Sequence, residues 1–297
     1  MTVPVLSDSP PLPLYGVRNK LLSDPRITPS LIIGLFMLFV LLVFSVVGPL
    51  FVDRNASVVG ATTPRLRPST IHFLGTDTQG RDLWTVLVLA TPNSLRIGVI
   101  AGVFGIGVGL IFGLISGFVG GVTDSIIRTA ADALLTVPGI AILIILASNV
   151  EHMTVDLMGM TLALLAWMFP TRVIRSQVLL IRERPYIDVA RANGVGIFGL
   201  IFKEVMPNLM PWVVAAFTGT VAGAILAAVG LEAIGLGAND AHTLGVNIYW
   251  AQYYSAVGRG MWWWWLPPIL VIVYIFLSLF VASSGMDRFA NPRIQRD

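Results

Sequence analysis

The chain has no cysteine and, in 297 residues, only two lysines, Lys20 and Lys203. Without thiols it forms no disulfide and offers no thiolate to a metal. Neither lysine follows a Gly-x-x-x-x-Gly run, so there is no P-loop and no nucleotide site of that kind. The three histidines, His72, His152 and His242, lie in separate loops, and no pair has helical spacing for a metal. They read as solvated side chains. No serine stands with a histidine and an acid in a recognisable hydrolytic pattern. Charge is scarce: 12% of residues are charged, against roughly 25% in a soluble domain. So few charges cannot cover a water-facing surface, and with 56% hydrophobic residues the composition is that of a membrane protein. The net charge of +3 says little alone. No catalytic group, cofactor, metal or nucleic-acid partner is expected.

Long apolar runs are what the chain has instead. Six can cross about 30 Å of hydrocarbon at about 1.5 Å per residue: Ser30–Phe51, Asn93–Gly117, Ser125–Ala147, Leu157–Ile181, Leu209–Leu231 and Leu266–Gly285. The expected organisation is a segment 1–29, a first span 30–51, an outer loop 52–92, a five-helix core 93–286 and a tail 287–297. Residues 1–29 are proline-rich and lack the apolar core and cleavage site of a secretory signal, so the first span reads as an uncleaved anchor. No ionisable residue sits mid-span, whereas proton- or sodium-coupled carriers place such groups in the membrane interior. An ion-coupled carrier is therefore the weaker reading, and so is a membrane-embedded enzyme.

Lysine and arginine set the orientation, because they collect on the cytoplasmic side. With the N-terminus inside, that side receives Arg18, Lys20, Arg26, Arg128, Arg172, Arg175, Arg182, Arg184, Arg191, Lys203, Arg288, Arg293 and Arg296. The outer side receives only Arg54, Arg65, Arg67, Arg81, Arg96 and Arg259. Both termini and the polar island 182–207 are thus expected in the cytoplasm.

That island reads RERPYIDVARANGVGIFGLIFKEVMP. Tyr186 to Asn193 is helix-forming, with an Arg184–Asp188 pair at i,i+4. Gly194 lets the chain turn through positive φ. Ile197, Leu200, Ile201 and Val205 then fall on one face of a second short helix, and Pro207 leads into the next span. A helix, a hinge and a helix make a lever that can dock in a partner's groove. Asp188-Val189-Ala190, then Gly194, then Val205-Met206-Pro207 resembles the coupling motif of ABC importer permeases. The family pattern is Glu-Ala-Ala, a glycine four places on and an apolar pair before proline; Asp188 and Val189 depart from it while keeping charge and apolarity.

The outer loop supports the same resemblance. Leu74-Gly75-Thr76-Asp77, followed by Gly80-Arg81-Asp82, is similar throughout to the Leu-Gly-Thr-Asp-x-x-Gly-Arg-Asp box of peptide-type permeases. Its residue types suggest a tight turn closed by side-chain hydrogen bonds and an Asp–Arg pair. Gly230 to Gly237 loosely matches a glycine-rich box of that group, with Glu232 where a small polar residue is usual. Glu232 reads either as an outer-mouth residue touching substrate or as a solvated helix end. Asn291-Pro292-Arg293 is near the group's Asp-Pro-Arg ending.

Further features have two readings each. Gly105, Gly109, Gly113 and Gly117, like Gly219 and Gly223, make smooth helix faces, either for packing within the chain or for sliding. Asp124, Arg128 and Asp132 share a face on which two carboxylates can flank one guanidinium. Pro138 kinks its span and either lines a pathway or is a tolerated bend. Trp262 to Trp265 form an interfacial belt or a surface that stacks on sugar rings, as in an oligosaccharide-carrying branch of the group.

The resemblance implies an all-α integral membrane protein with the binding-protein-dependent importer fold, in a bacterial or archaeal inner membrane. It implies a homologous permease subunit, two ABC ATPase subunits and an extracytoplasmic substrate-binding protein as partners, besides membrane lipid. The coupling residues would be Asp188, Val189, Ala190, Arg191, Gly194, Val205, Met206 and Pro207. Glu232 and Pro138 are the candidates for the path. Dipeptides and oligopeptides are the expected cargo, with oligosaccharides and nickel chelates as the alternatives.

Overall fold

The structure, a computed structural model, describes residues 28–290, with side chains to residue 286. The N-terminal segment to residue 27 and the Asn291-Pro292-Arg293 ending lie outside the described residues. Every named element among those described is helical. Helix α1 (Pro29–Val47) starts on the Thr28 cap with proline at its first position, where a missing N–H costs nothing. Helix α2 (Leu83–Val119) is the central rod, packed by α5 (Val155–Ala166), α6 (Met168–Arg182) and α9 (Met206–Ala233). Helix α1 packs instead along α11 (Trp262–Ala290), where Gly34 and Gly285 let the two backbones touch.

Among the described residues four helices are long and apolar enough to cross a membrane, and up to six spans result if each of two bent pairs counts as one. The bend at Pro138 is expected from the sequence; the bend between α5 and α6 is not. Helices α3 (Gly121–Thr136) and α4 (Gly139–Ser148) meet at 83°. Pro138 forces Val137 into extended backbone, with ψ of 134°, so the helix stops and restarts instead of kinking. Helices α5 and α6 meet at 43° around Trp167. The ring of Pro170 would clash with the carbonyl of Ala166 in a continuous helix.

The second span also begins earlier than expected. Asp82 Oδ1 accepts from Thr85 N at 2.9 Å and caps α2, so residues 83–92 are helix and not loop. The fifth span is preceded by α7 (Pro185–Ala192), α8 (Ile197–Gly199) and a π-helical stretch, Leu200–Val205, that runs straight into α9. Pro207 supplies no N–H and crowds the carbonyl four residues back, a usual cause of a widened turn. A short helix α10 (Leu244–Tyr253) leads through a turn to α11.

Candidate functional site

The segment 182–207 sits at the Val119 end of α2. Ile187, Leu200 and Val205 are buried against Leu114, Ile174 and Val178, which fixes the segment to α2 and α6. Pro185 opens α7, and Gly194 turns the chain at a φ of 81° after α7 ends. The helix–hinge–helix expected from the sequence is therefore formed. Two details differ. Asp188 pairs with Arg191 at 3.4 Å, not with Arg184, because Arg184 is the extended residue that caps α7. Ile197 is exposed along with Phe198 and Phe202, since the π turn shifts the buried face to Leu200 and Val205.

Behind the segment, α3 and α6 are tied by charge. Arg175 Nε and Nη2 donate to the two oxygens of Asp124 at 2.5 and 2.6 Å, and Ser116 of α2 also donates to Asp124. Such a fork is stronger than a single charged hydrogen bond. Asp132 faces Arg172 at 3.3 Å. The expected flanking of Arg128 by Asp124 and Asp132 is thus corrected: both carboxylates turn to α6. Arg182 reaches back to the carbonyl of Gly117 at 3.2 Å.

At the Leu83 end the Gly-Arg-Asp box is a closed polar knot. Asp77 Oδ1 accepts from the amides of Gln79 and Arg81, and its Oδ2 accepts from Arg81 Nε at 2.5 Å. Asp77, Arg81 and Asp82 are all buried. Gly75 and Gly80 take φ of 64° and 73° where the loop doubles back. The solvated reading of the histidines fails for two of them. His72 Nδ1 lies 2.7 Å from Asp82 Oδ2, and His242 Nε2 lies 3.0 Å from Ser57 Oγ. Burial, with the Arg81 charge nearby, holds His242 below the usual imidazole range, while Asp77 pulls the other way. Only His152 is exposed as expected.

Glu232 is neither a solvated helix end nor open at a mouth: it is fully buried at the end of α9. Its side-chain stem lies against Gly237 and its Oε2 beside Gly245, at the amino end of α10, and neither carboxylate oxygen has a partner in hydrogen-bonding geometry among the described residues. A Cβ on Gly245 would stand 2.2 Å from Glu232 Oε2, so that glycine is required by the close approach. Pro138 is exposed at the α3–α4 break.

The two glycine faces separate. Gly105, Gly109, Gly113 and Gly117 abut Ala166, Pro170, Ile174 and Val178, which is packing inside the chain. Gly219 and Gly223 meet nothing; they line an apolar cavity of about 600 Å³ with Leu143, Leu165 and Phe169. The tryptophan run is also divided. Trp263 and Trp264 are core, and Trp264 Nε1 donates to Asn247 Oδ1 at 3.0 Å. Trp262 is exposed.

Residues 109–296 match the family described as binding-protein-dependent transport system inner membrane component. The chain belongs to this family. The dipeptide transport system permease protein DppC of Bacillus subtilis (strain 168) is 30% identical over 211 residues, 69% of this chain and 63% of that protein. The match thus spans less than two thirds of DppC. The oligopeptide transport system permease protein OppC of the same organism is 30% identical over 206 residues, 69% of this chain and 67% of that protein. A putative peptide transport system permease protein of Brucella abortus biovar 1 (strain 9-941) is 28% identical over 275 residues, 89% of this chain and 88% of that protein. Among solved structures, the inward-facing MetNI methionine ABC transporter matches with a TM-score of 0.52 and 19% identity. That match covers 69% of this chain and 96% of that one. At that identity the likeness concerns the fold, which is the ABC transporter permease fold. This inner membrane component is accordingly a multi-pass membrane protein.

The sequence left several of its interactions unread. Asp82 immediately before an apolar run is a capping signal that would have moved the start of α2 to Leu83. The Asp124–Arg175 fork joins residues 51 apart and has no local signal.

Proposed function

We propose that this chain is the permease subunit of an ATP-driven importer of dipeptides or oligopeptides. It pairs with a homologous permease, receives cargo from an extracytoplasmic binding protein and is driven by two ATPase subunits. The observation that carries the coupling is the segment 182–207: a hinged pair of helices anchored by Ile187 and Val205, with Val189, Ile197, Phe198 and Phe202 left exposed. Apolar surface of that extent beside a charged pair suits a partner's groove. ATP binding on the partners would shift the spans only through contacts that differ between states. Both termini then face the cytoplasm with the lever. The relatives named as peptide permeases support the cargo class. The oligosaccharide reading retains only Trp262 as an open indole face.

The test is site-specific photo-crosslinking in native membranes. A crosslinker at Phe198 should capture a polypeptide bearing a P-loop, and one at Ile71 of the outer loop should not. Capture at Ile71 alone would end the proposal. Gly194→Val should uncouple peptide uptake from ATP hydrolysis. Nothing lies within 4 Å of a Cβ there, so the effect acts through the φ of 81°.

A further inference from the structure

A second cavity, of about 490 Å³, opens beside the Gly-Arg-Asp box. Its lining is Arg65, Arg67, Arg259, Met261 and Trp263. Three arginines line it, and no acidic residue does. Among the described residues none of the three is in an ion pair or donates a side-chain hydrogen bond within the chain. Trp263 is 7% exposed, and its indole N–H is buried without an acceptor. Every polar side chain on the wall is therefore a donor. Like charges gathered without a counter-charge repel one another, and the arrangement is complementary to an anion.

The turns that carry the arginines have fixed backbones. Arg65 and Ser255 are the two non-glycine residues with positive φ among those described, at 58° and 52°, and both belong to the turns that frame this cavity. The Arg65 amide donates to the Asp77 carbonyl at 2.9 Å, and the Leu66 amide to Thr76 Oγ1 at 2.8 Å, so the first turn is lashed to the buried box. In the second, the Arg259 amide donates to the Ser255 carbonyl at 3.1 Å and the Met261 amide to the Ala256 carbonyl at 2.9 Å. Left-handed backbone at residues with side chains persists where its surroundings enforce it, and it gathers at ligand clamps.

We propose that this cavity is an oxyanion site that takes the carboxylate or phosphate group of a ligand on this face of the protein. The planar forks of Arg65, Arg67 and Arg259 bind such a group two-pronged. The Trp263 N–H supplies a further donor, and Met261 with the indole ring accepts the ligand's apolar part. The site goes beyond the importer reading and stands without it, since it makes no use of residues 182–207 or of the cargo. A free anion and a lipid headgroup share this chemistry.

The test uses the full chain in nanodiscs of phosphatidylcholine at low ionic strength, titrated calorimetrically with inorganic phosphate and with citrate. A parallel set of nanodiscs carries phosphatidylglycerol and is read by native mass spectrometry for retained anionic lipid. Saturable one-to-one binding of either free anion, or retention of one phosphatidylglycerol, is the expected result, and the arm that responds names the source. Arg67→Gln and Arg259→Gln should each weaken binding about tenfold. Trp263→Phe should weaken it about threefold. Arg54→Gln, an outer arginine outside the cavity, should leave it unchanged. These arginines are exposed, so their loss does not threaten folding. Absence of binding in both arms would overturn the proposal. So would equal weakening by Arg54→Gln and Arg259→Gln, which would mark diffuse charge in place of a site.

Discussion

At the Leu83 end of α2 the polar groups are inside: Asp77, Arg81 and Asp82 are buried and each is matched within the chain. At the Val119 end the Asp188–Arg191 pair is exposed, and Phe198 and Phe202 stand in the open. At the first end the Gly-Arg-Asp box is closed by its own residues, although Ile71 and Phe73 beside it are exposed. The second presents apolar surface that the chain itself does not cover, while Ile187 and Val205 hold its base to the core. Under the proposed function, that uncovered surface is where the partner polypeptide docks.

The sharpest way to break this contrast is Asp77→Ala. It leaves the Arg81 guanidinium buried without its carboxylate and frees two amides, and removing one partner of a buried pair costs about 3–5 kcal/mol. Thermal unfolding in nanodiscs should show the largest loss of any single change considered. A loss below about 1 kcal/mol would mean that the box is held by something other than this pair. Next in size is Asp124→Asn. Asp124 and Arg175 are 17% and 22% exposed, so the fork is only partly shielded, and weakening it should cost about 1–3 kcal/mol. The loss should appear in the same unfolding assay and should loosen α3 from α6, raising hydrogen exchange in α3 above that in α2.

What the sequence made legible follows the range of each interaction. The Asp77–Arg81 pair and the Gly194 hinge are local, set by residues four apart or by one backbone angle, and the residues name them. The resemblance named the fold. Pro138 announced a bend, but its 83° depends on Val137 being driven extended and on α4 restarting at Gly139. Gly113 and Gly219 look alike in sequence, since spacing marks a smooth face without naming what meets it; one abuts Ile174 and the other faces a cavity. The burial of Glu232 and of Trp264 has a shared cause that no local pattern shows. Each is buried by α10, and nothing local to residue 232 or 264 says that Thr243 to Asn247 will fold back over it.

A smaller effect is expected at the Leu83 end. His242 titrates below its ordinary value of 6.5 when folded, because burial disfavours its charged form. The unfolded chain therefore binds more protons between the folded and unfolded values, and stability rises with pH across that window. The contribution is complete above about pH 6.5 and is lost as pH falls toward the folded value. His242→Gln should remove this part of the slope in unfolding measured from pH 7 down to pH 5. An unchanged slope would assign it to another group.

The smallest expected change in stability is at the other end. Asp188→Ala deletes an exposed i,i+3 pair at 3.4 Å with side chains 69% and 44% exposed. Pairs of that kind contribute about 0–0.5 kcal/mol, so unfolding should shift by less than the scatter between preparations. If the segment is the coupling element, the same variant should nonetheless lower peptide-driven ATP hydrolysis in the assembled transporter, because the charge then acts between chains. The two readouts separate the cases. A large fall in stability would place Asp188 among the groups that hold this chain together and would erase the difference between the two ends of α2. Unchanged stability with unchanged coupling would leave the end open but move the partner's grip to the exposed phenylalanines.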